Sequence, residues 1–449
     1  MPKFFVILFI FFIVGPVFSF DLPVSRISDD SLLRLRLKET WITETSGRTL
    51  SQPSRTEVME SGERVHVSTI EGRDEFIVLF SRELTRGASI SERRGTGQFP
   101  GWAQGSWMIT RRKDTGAGTL VRIFLRSDQN THIQFRHFDD EKCLMDAVIY
   151  GAFLVRSVPV AVPLDRIYTM QLNDILRLVE NKLPLRYFEA DPANYRDTRR
   201  FVEQVRTHTN SLRFADDGAI DENGKYVFIA TNNEQNPATA GLNCSGFVKW
   251  LIDGILRPVS GKRMPIAPLK APFGERGSSF TVNWEERRDV FFGLDWIRNL
   301  ASEANGTLRS PSYSSLEEFE VRSENFSGIL VNENRTFVTH NYPGFLAEAG
   351  YGIEGLRPLL YTLAIDEPYS FYLAAVSTEI STPTSIRGTP RLRQYYHVAA
   401  LVPYFDEQGN FRITVFESAT ETSFNSFRNR YPGHHVNLVK IPVSPTFDP

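Results

Sequence analysis

One short segment constrains the fold of this chain most strongly, because it places a cysteine at the start of an amphipathic helix. The segment is 243–249, with the sequence Asn-Cys-Ser-Gly-Phe-Val-Lys. Apolar residues then recur with helical spacing: Phe247, Val248, Leu251, Ile252 and Ile255. Asn243 is a residue type that caps helices, so Cys244 is expected in the first turn. Free N–H groups and the positive end of the helix dipole favour a thiolate there.

Two interpretations of Cys244 follow from the residues alone. A lone cysteine is most often a small buried hydrophobic residue. A nucleophilic cysteine needs space beside its sulfur, and Gly246 would leave room for a substrate carbonyl. The other cysteine, Cys143, lies in a charged segment with no base beside it, and we interpret it as structural. A disulfide between the two would block the nucleophile, and we expect no disulfide framework.

A thiol nucleophile needs a histidine that accepts its proton and later returns it to the leaving group. The histidines that follow Cys244 are His340, His397, His434 and His435. His397 opens a predicted strand that continues through a turn into a return strand, a β-hairpin. His340 is the alternative, but no apolar strand follows it. The pair at 434–435 has no ligands spaced for a metal site, which predicts a surface turn and no bound metal.

The predicted hairpin also supplies a partner for the histidine. If Phe405 pairs with Phe411, then Glu417 lies diagonal to His397 on the same face of the sheet. Its carboxylate would hold the imidazole and stabilise the charged form. The alternatives that remain open are Ser418 or Thr420, after a slip of one residue, and Glu421.

The nucleophile segment resembles the motif of the NlpC/P60 family of papain-like cysteine peptidases. In that family, Asp-Cys-Ser-Gly, an aromatic or aliphatic residue and Val open the central helix. The strand that begins at His397 is also similar to the family pattern, whose third polar residue comes from the next strand. The resemblance implies an α+β fold with a papain-like catalytic domain that uses no cofactor. It also implies cleavage of the stem peptides of bacterial peptidoglycan.

The resemblance further implies roles for particular residues. The expected catalytic residues are Cys244, His397 and Glu417, and the expected substrate-binding residues are Asn243, Ser245 and Tyr226. The family more often has His, Asn or Gln at the third catalytic position. Asn243 replaces an acidic residue that binds the substrate's free amino end, so recognition of a charged amine is not expected. Tyr226 matches a family tyrosine without the two glycines that follow it, and a strand tyrosine packed on the core is the alternative.

The first nineteen residues have the pattern of a secretory signal peptide. Lys3 precedes an apolar run at 4–14, and Val-Phe-Ser at 17–19 offers a cleavage site. The run is shorter than the roughly 20 residues of a transmembrane helix, and Gly-Pro at 15–16 interrupts it. We therefore expect an exported protein, periplasmic or secreted, with no integral membrane segment after cleavage.

The mature chain divides into two predicted domains. Alternating apolar patterns at 20–185 indicate a β-rich N-terminal domain, a sandwich or small barrel, that ends in a helix at 165–182. Residues 186–449 form the catalytic domain, with a helical insertion at about 262–370. The net charge of −2, from 51 basic and 53 acidic side chains, argues against a nucleic-acid partner. The expected partner is peptidoglycan or a peptide-like substrate.

Two other functions remain open from the sequence. The same fold would serve a thiol acyltransferase or hydrolase that acts on a substrate outside the cell wall. It would also serve a catalytically silent surface-binding protein.

Overall fold

The computed structural model describes residues 21–86, 94–273, 289–322, 327–331, 337–341, 344–346, 349–379 and 393–449. The predicted signal peptide lies outside these residues. The described chain is a mixed α/β protein built around two large antiparallel sheets. None of the helices in these ranges is both long and apolar enough to cross a membrane.

The strands of the described residues are β1 (Arg55–Val58), β2 (Arg64–Glu71), β3 (Glu75–Arg82), β4 (Thr85–Arg86), β5 (Arg94–Gly95), β6 (Trp107–Arg112), β7 (Gly118–Ile123), β8 (His132–His137), β9 (Cys143–Ile149), β10 (Ala152–Val160), β11 (Gly218–Ile220), β12 (Tyr226–Phe228), β13 (Ser327–Val331), β14 (Phe337–Asn341), β15 (Tyr351–Gly352), β16 (Ser370–Glu379), β17 (Arg393–Phe405), β18 (Phe411–Glu417), β19 (Thr420–Ser423) and β20 (His435–Pro442).

The α-helices of the same residues are α1 (Ser31–Arg36), α2 (Ser46–Leu50), α3 (Leu164–Ile167), α4 (Leu172–Val179), α5 (Arg196–Thr209), α6 (Cys244–Ser260), α7 (Ile266–Leu269), α8 (Phe292–Leu308), α9 (Leu316–Phe319), α10 (Leu356–Asp366) and α11 (Phe424–Arg430).

The first sheet confirms that the N-terminal part of the chain is rich in strands. Its order among the described residues is β1-β2-β3-β6-β7-β8-β9-β10-β13-β14. Alternate residues of β2, Val65 and Val67, are fully buried, as the period of a strand requires. In place of the predicted sandwich or barrel, the described parts of these strands form one sheet whose pairings run in a single order from β1 to β14.

The helix predicted at 165–182 is divided into α3 and α4. Between them the guanidinium of Arg34 donates to the carbonyls of Tyr168, at 2.8 Å, and Met170, at 2.7 Å. Arg34 is fully buried and also lies over the ring of Trp107, 3.6 Å from its centroid. At the break, backbone carbonyls lose their helical hydrogen bonds, and the Arg34 side chain from α1 supplies donors in their place. Local sequence does not reveal this partner.

The second sheet has the order β15-β20-β16-β17-β18-β19. Its hairpin has the predicted register, because Phe405 pairs with Phe411 and Ala400 with Phe416. Residues Phe371 to Val376 of β16 are all fully buried, so both faces of this central strand are covered. Helices α6 and α8 contact β17, and α5 and α10 contact it as well.

The segment at about 262–370 differs from the helical insertion that we predict. It contains α7 to α10, but it also contains β13 to β15. Helix α8 packs against α6, β16, β17 and β20, and its residues Trp296, Ile297 and Leu300 are fully buried. Its apolar stripe is therefore part of the core beneath the second sheet. Strands β13 and β14 join the first sheet through β10.

The hairpin of β11 and β12 lies against the first turns of α6. A Cβ atom at Gly246 would collide with the carbonyl oxygen of Gly218 and lie 2.8 Å from the Cα of Ala219. Further along the helix, Lys249 donates to the carbonyl of Ile220 at 2.7 Å. Gly246 is thus required by the packing of α6 on β11, which corrects our expectation that it makes room for a substrate.

We predict that Gly246→Ala destabilises the protein by about 1–3 kcal/mol, because the added methyl must displace the backbone of β11. The measurement is the free energy of unfolding in denaturant. Gly47→Ala is the matched control: a Cβ there meets nothing within 4 Å, so its unfolding free energy should not fall. Equal stability of the wild type and Gly246→Ala would contradict the close approach.

Candidate functional site

The predicted nucleophile lies at the amino end of α6. The Asn243 side chain caps this helix, since its Oδ1 accepts from the N–H of Gly246 at 2.8 Å. The backbone N–H of Asn243 donates to the carbonyl of Gly218 at 2.9 Å. Cys244 is therefore the first residue of the helix and is partly exposed. The predicted cap and the position of the cysteine are both confirmed.

His397 and Glu417 are in direct contact. The distance between Nε2 of His397 and Oε2 of Glu417 is 2.7 Å, and the two side chains are 12% and 3% exposed. An ionised carboxylate only accepts hydrogen bonds, so the geometry assigns the proton of the neutral imidazole to Nε2. Nδ1 is then the nitrogen available to Cys244: in the neutral ring it can accept the thiol proton, and in the charged ring its N–H can donate to the thiolate.

The pKa of the Cys244 thiol is lowered by its surroundings. Burial alone would raise this pKa, but a hydrogen bond from His397 and the charge of that imidazole lower it. The backbone of Val398 and the hydroxyl of Ser245 add to the lowering, and the net direction is downward. Cys244 therefore ionises more readily than an ordinary cysteine.

A tight turn after β18 fixes the position of Glu417. Glu417 pairs with Thr420 across a two-residue loop. Both loop residues, Ser418 and Ala419, have positive φ angles of 48° and 62°. A loop of this kind matches the twist of the strands but is strained for residues other than glycine. Strain of this kind is often found at functional sites, and here it lies directly beside the carboxylate that holds His397.

Arg430, a residue that no sequence motif indicates, completes the surroundings of Glu417. Its Nη2 donates to Oε1 of Glu417, the oxygen that His397 does not use. Arg430 is the last residue of α11 and its side chain is 47% exposed. No spacing rule connects it to the hairpin, because the contact depends on the path of the chain after β19.

An aromatic cluster, formed by Tyr396, Tyr431 and His434, lies beside the imidazole. The rings of Tyr431 and His397 are 5.6 Å apart, and His434 is 5.9 Å from Tyr431 and 6.0 Å from Tyr396. Burial raises the pKa of the Tyr431 hydroxyl, and the charge of Cys244 adds to this rise. The prediction of a surface turn at 434–435 was wrong for His435, which begins β20, and His434 packs at the edge of the site.

A bulge in β17 explains the direction of Tyr396. Against β16, Val376 pairs with His397 and Ser377 with Tyr395, so Tyr396 is the extra residue. Bulges next to functional sites re-aim side chains, and Tyr396 is 41% exposed here.

Helix α8 supports the amino end of α6 from beneath. Nε1 of Trp296 donates to the carbonyl of Ser245 at 2.9 Å. Ser245 is buried, and its hydroxyl contributes to the lowered pKa of the Cys244 thiol. Its contact with substrate stays a prediction. The side-chain oxygen of Asn243 is likewise used by the helix cap.

The other predicted residues lie outside this group. Tyr226 is half-buried on β12 and pairs with Ile220, as the alternative of a strand tyrosine anticipated. Glu421 pairs with Arg206 at 2.6 Å, so the reserve partner for the histidine is engaged elsewhere. His340 lies on β14 in the first sheet. Both cysteines are free, and in the described ranges no cluster of His, Cys, Asp or Glu could hold a metal ion.

We predict that iodoacetamide alkylates Cys244 at mildly acidic pH, where an ordinary thiol is protonated. Because its pKa is lowered, the thiolate persists as the pH falls and is lost only below the lowered pKa. His397→Ala removes the main cause of the lowering and leaves burial, so the alkylation profile should move to higher pH by about one unit or more. Mass spectrometry of the labelled peptide gives the rate at each pH.

Cys143 is the internal control for this experiment. It is fully buried, and burial raises the pKa of its thiol to about 11. It should stay unlabelled under the same conditions. Identical profiles for the wild type and His397→Ala would contradict the proposed coupling of the two side chains.

The N-terminal part of the chain matches a protein family. Residues 23–187 match the family described as Domain of unknown function (DUF8515). The match includes β1 to β10 and ends before Cys244, so it assigns no chemistry to the site. No curated protein and no solved structure matched the chain. The domain division between 185 and 186 stays a prediction.

Proposed function

We propose that the chain is an exported thiol hydrolase, related to the NlpC/P60 cysteine peptidases, that cleaves amide bonds in peptidoglycan stem peptides. The observation that carries this proposal is the continuous array of Cys244, His397 and Glu417. Glu417 accepts from His397 at 2.7 Å, and the hydrogen bond and charge of His397 lower the pKa of the Cys244 thiol.

The order along the chain of the helix and strands that carry the three residues supports a papain-like catalytic domain. The nucleophile opens a helix that packs on an antiparallel sheet. The base lies on one strand of that sheet, and its carboxylate partner ends the strand that follows. The same order is implied by the resemblance of the segment 243–249 to the nucleophile motif. That resemblance is also what favours peptidoglycan as the substrate.

In the proposed reaction, the Cys244 thiolate attacks the carbonyl carbon of the substrate amide. The backbone N–H of Cys244, at the positive end of the helix dipole, is placed to stabilise the oxyanion that forms. The C–N bond breaks as the His397 imidazolium gives its proton to the leaving amine, and a thioester remains on Cys244.

Water completes the proposed cycle. His397, now neutral, takes a proton from a water molecule whose oxygen attacks the thioester carbon. The C–S bond breaks, the acid product leaves, and Cys244 and His397 return to their starting states. Throughout, Glu417 accepts from Nε2 and stabilises the positive imidazole.

We expect purified wild-type protein to release new fragments from peptidoglycan stem peptides, detected by mass spectrometry. Cys244→Ala removes the nucleophile and His397→Ala the base, so each should reduce the rate by about 10³-fold or more. Cys143→Ala is the matched control, because Cys143 lies in the first sheet away from the array, and its activity should equal that of the wild type.

The possible results separate the candidate functions. Equal digestion by the wild type and Cys244→Ala would contradict the enzyme proposal. Intact stem peptides, together with Cys244-dependent hydrolysis of a generic thioester or amide, would contradict the peptidoglycan assignment. That second result would favour an acyltransferase or a hydrolase with a substrate outside the wall.

A further inference from the structure

The two carboxylate oxygens of Glu417 have different partners. Oε2 contacts His397 at 2.7 Å, and Oε1 accepts from Arg430. The Glu417 side chain is only 3% exposed, whereas Arg430 is 47% exposed. A carboxylate that is buried to this extent needs partners for both oxygens, because an unpaired buried charge is strongly unfavourable.

We propose that Arg430 is a positioning residue of the site, which keeps Glu417 ionised and directed at His397. The inference rests on the proposed function, since it concerns the same array. Through Glu417, Arg430 would control how well His397 accepts the thiol proton, although it touches neither the thiol nor the substrate.

The donor and acceptor groups explain why a charged pair is used. The Nε2–H of His397 and the guanidinium of Arg430 can only donate toward residue 417. A carboxylate offers an acceptor to each of them. A glutamine at 417 offers one oxygen and one NH₂ group, so one of the two donors would face another donor. The arginine is therefore matched to a glutamate at 417 and not to a glutamine.

The end of α11 also places an aromatic ring beside the imidazole that Glu417 contacts. The guanidinium of Arg430 lies over the ring of Tyr431, 5.5 Å from its centroid, and that ring is 5.6 Å from His397. The N–H of Tyr431 donates to the carbonyl of Arg428 at 3.3 Å, which closes the helix at this point. Arg430 and Tyr431 thus reach the carboxylate and the imidazole from adjacent positions of one chain segment.

The test is a double-mutant cycle on the alkylation rate of Cys244 by iodoacetamide at mildly acidic pH. Arg430→Gln leaves Glu417 with one unpaired oxygen, and Glu417→Gln places an NH₂ group against a donor. Each single variant should slow alkylation by about tenfold. Glu417→Gln combined with Arg430→Gln removes the donor conflict but not the loss of the carboxylate charge, so the double variant should react no slower than Glu417→Gln alone. Arg430→Lys keeps the charge and should also retain most of the rate.

Arg428→Gln is the matched control, with the same charge change on the same helix. The described residues show no ion pair for Arg428, so its substitution should leave the rate unchanged. A rate for Arg430→Gln equal to that of the wild type would overturn the inference. A double variant as slow as the product of the two single effects would overturn it too.

Folding is followed by thermal unfolding of each variant. If Arg430→Gln does not fold but the double variant folds and reacts, the charge pairing is supported. If both fail to fold, Arg430 is structural and the inference is overturned. A wild-type Cys244 that reacts no faster than a free thiol would instead contradict the proposed function, whatever the Arg430 variants do.

Discussion

The backbone of α6 approaches that of β11 so closely at Gly246 that no side chain fits between them, and this approach determines where Cys244 lies. The N–H of Asn243 donates to Gly218 on the same strand, and Lys249 donates to Ile220. Three consecutive residues of β11 thus contact one side of the helix. The cysteine is placed by a packed backbone and not by a mobile loop, as an accurately positioned nucleophile requires.

Beneath the site, a buried ion pair fixes the helix at a second point. Lys249 and Asp253 are 2.6 Å apart, and both side chains are almost completely buried. The second oxygen of Asp253 accepts from the N–H of Met264, at 2.8 Å, beyond the end of α6. Each residue of the pair therefore has a further hydrogen-bond partner: Ile220 for Lys249 and Met264 for Asp253. A buried charge pair is tolerated under this condition. It joins β11, α6 and the loop that follows into one unit.

Local rules were sufficient for part of this arrangement. The cap at Asn243 and the hairpin register at Phe405 and Phe411 depend on neighbours in sequence, and both could be predicted. The contact between His397 and Glu417 followed from the register because side chains alternate along a strand.

The remaining features depend on contacts between distant segments. Arg430 reaches Glu417 only because α11 returns to β18, and Trp296 reaches Ser245 because α8 packs under α6. The glycine at 246 was predicted correctly as important but for the wrong reason, since its neighbour on β11 is 28 residues earlier in the chain. A helical insertion could be predicted, but helical spacing cannot tell which surface the apolar stripe of α8 covers.

The return of β13 to the first sheet links the two predicted domains beyond their single junction. Its residues Ser327 and Gly328 pair with Phe153 and Ala152 of β10, although they belong to the chain after the nucleophile. A fragment that starts at 186 would carry β13 and β14 without the strand they extend, while the complementary fragment would expose the free edge of β10. Unpaired edges of this kind promote association between molecules. Limited proteolysis near 186 would accordingly leave a nicked molecule whose two pieces stay joined through these strands.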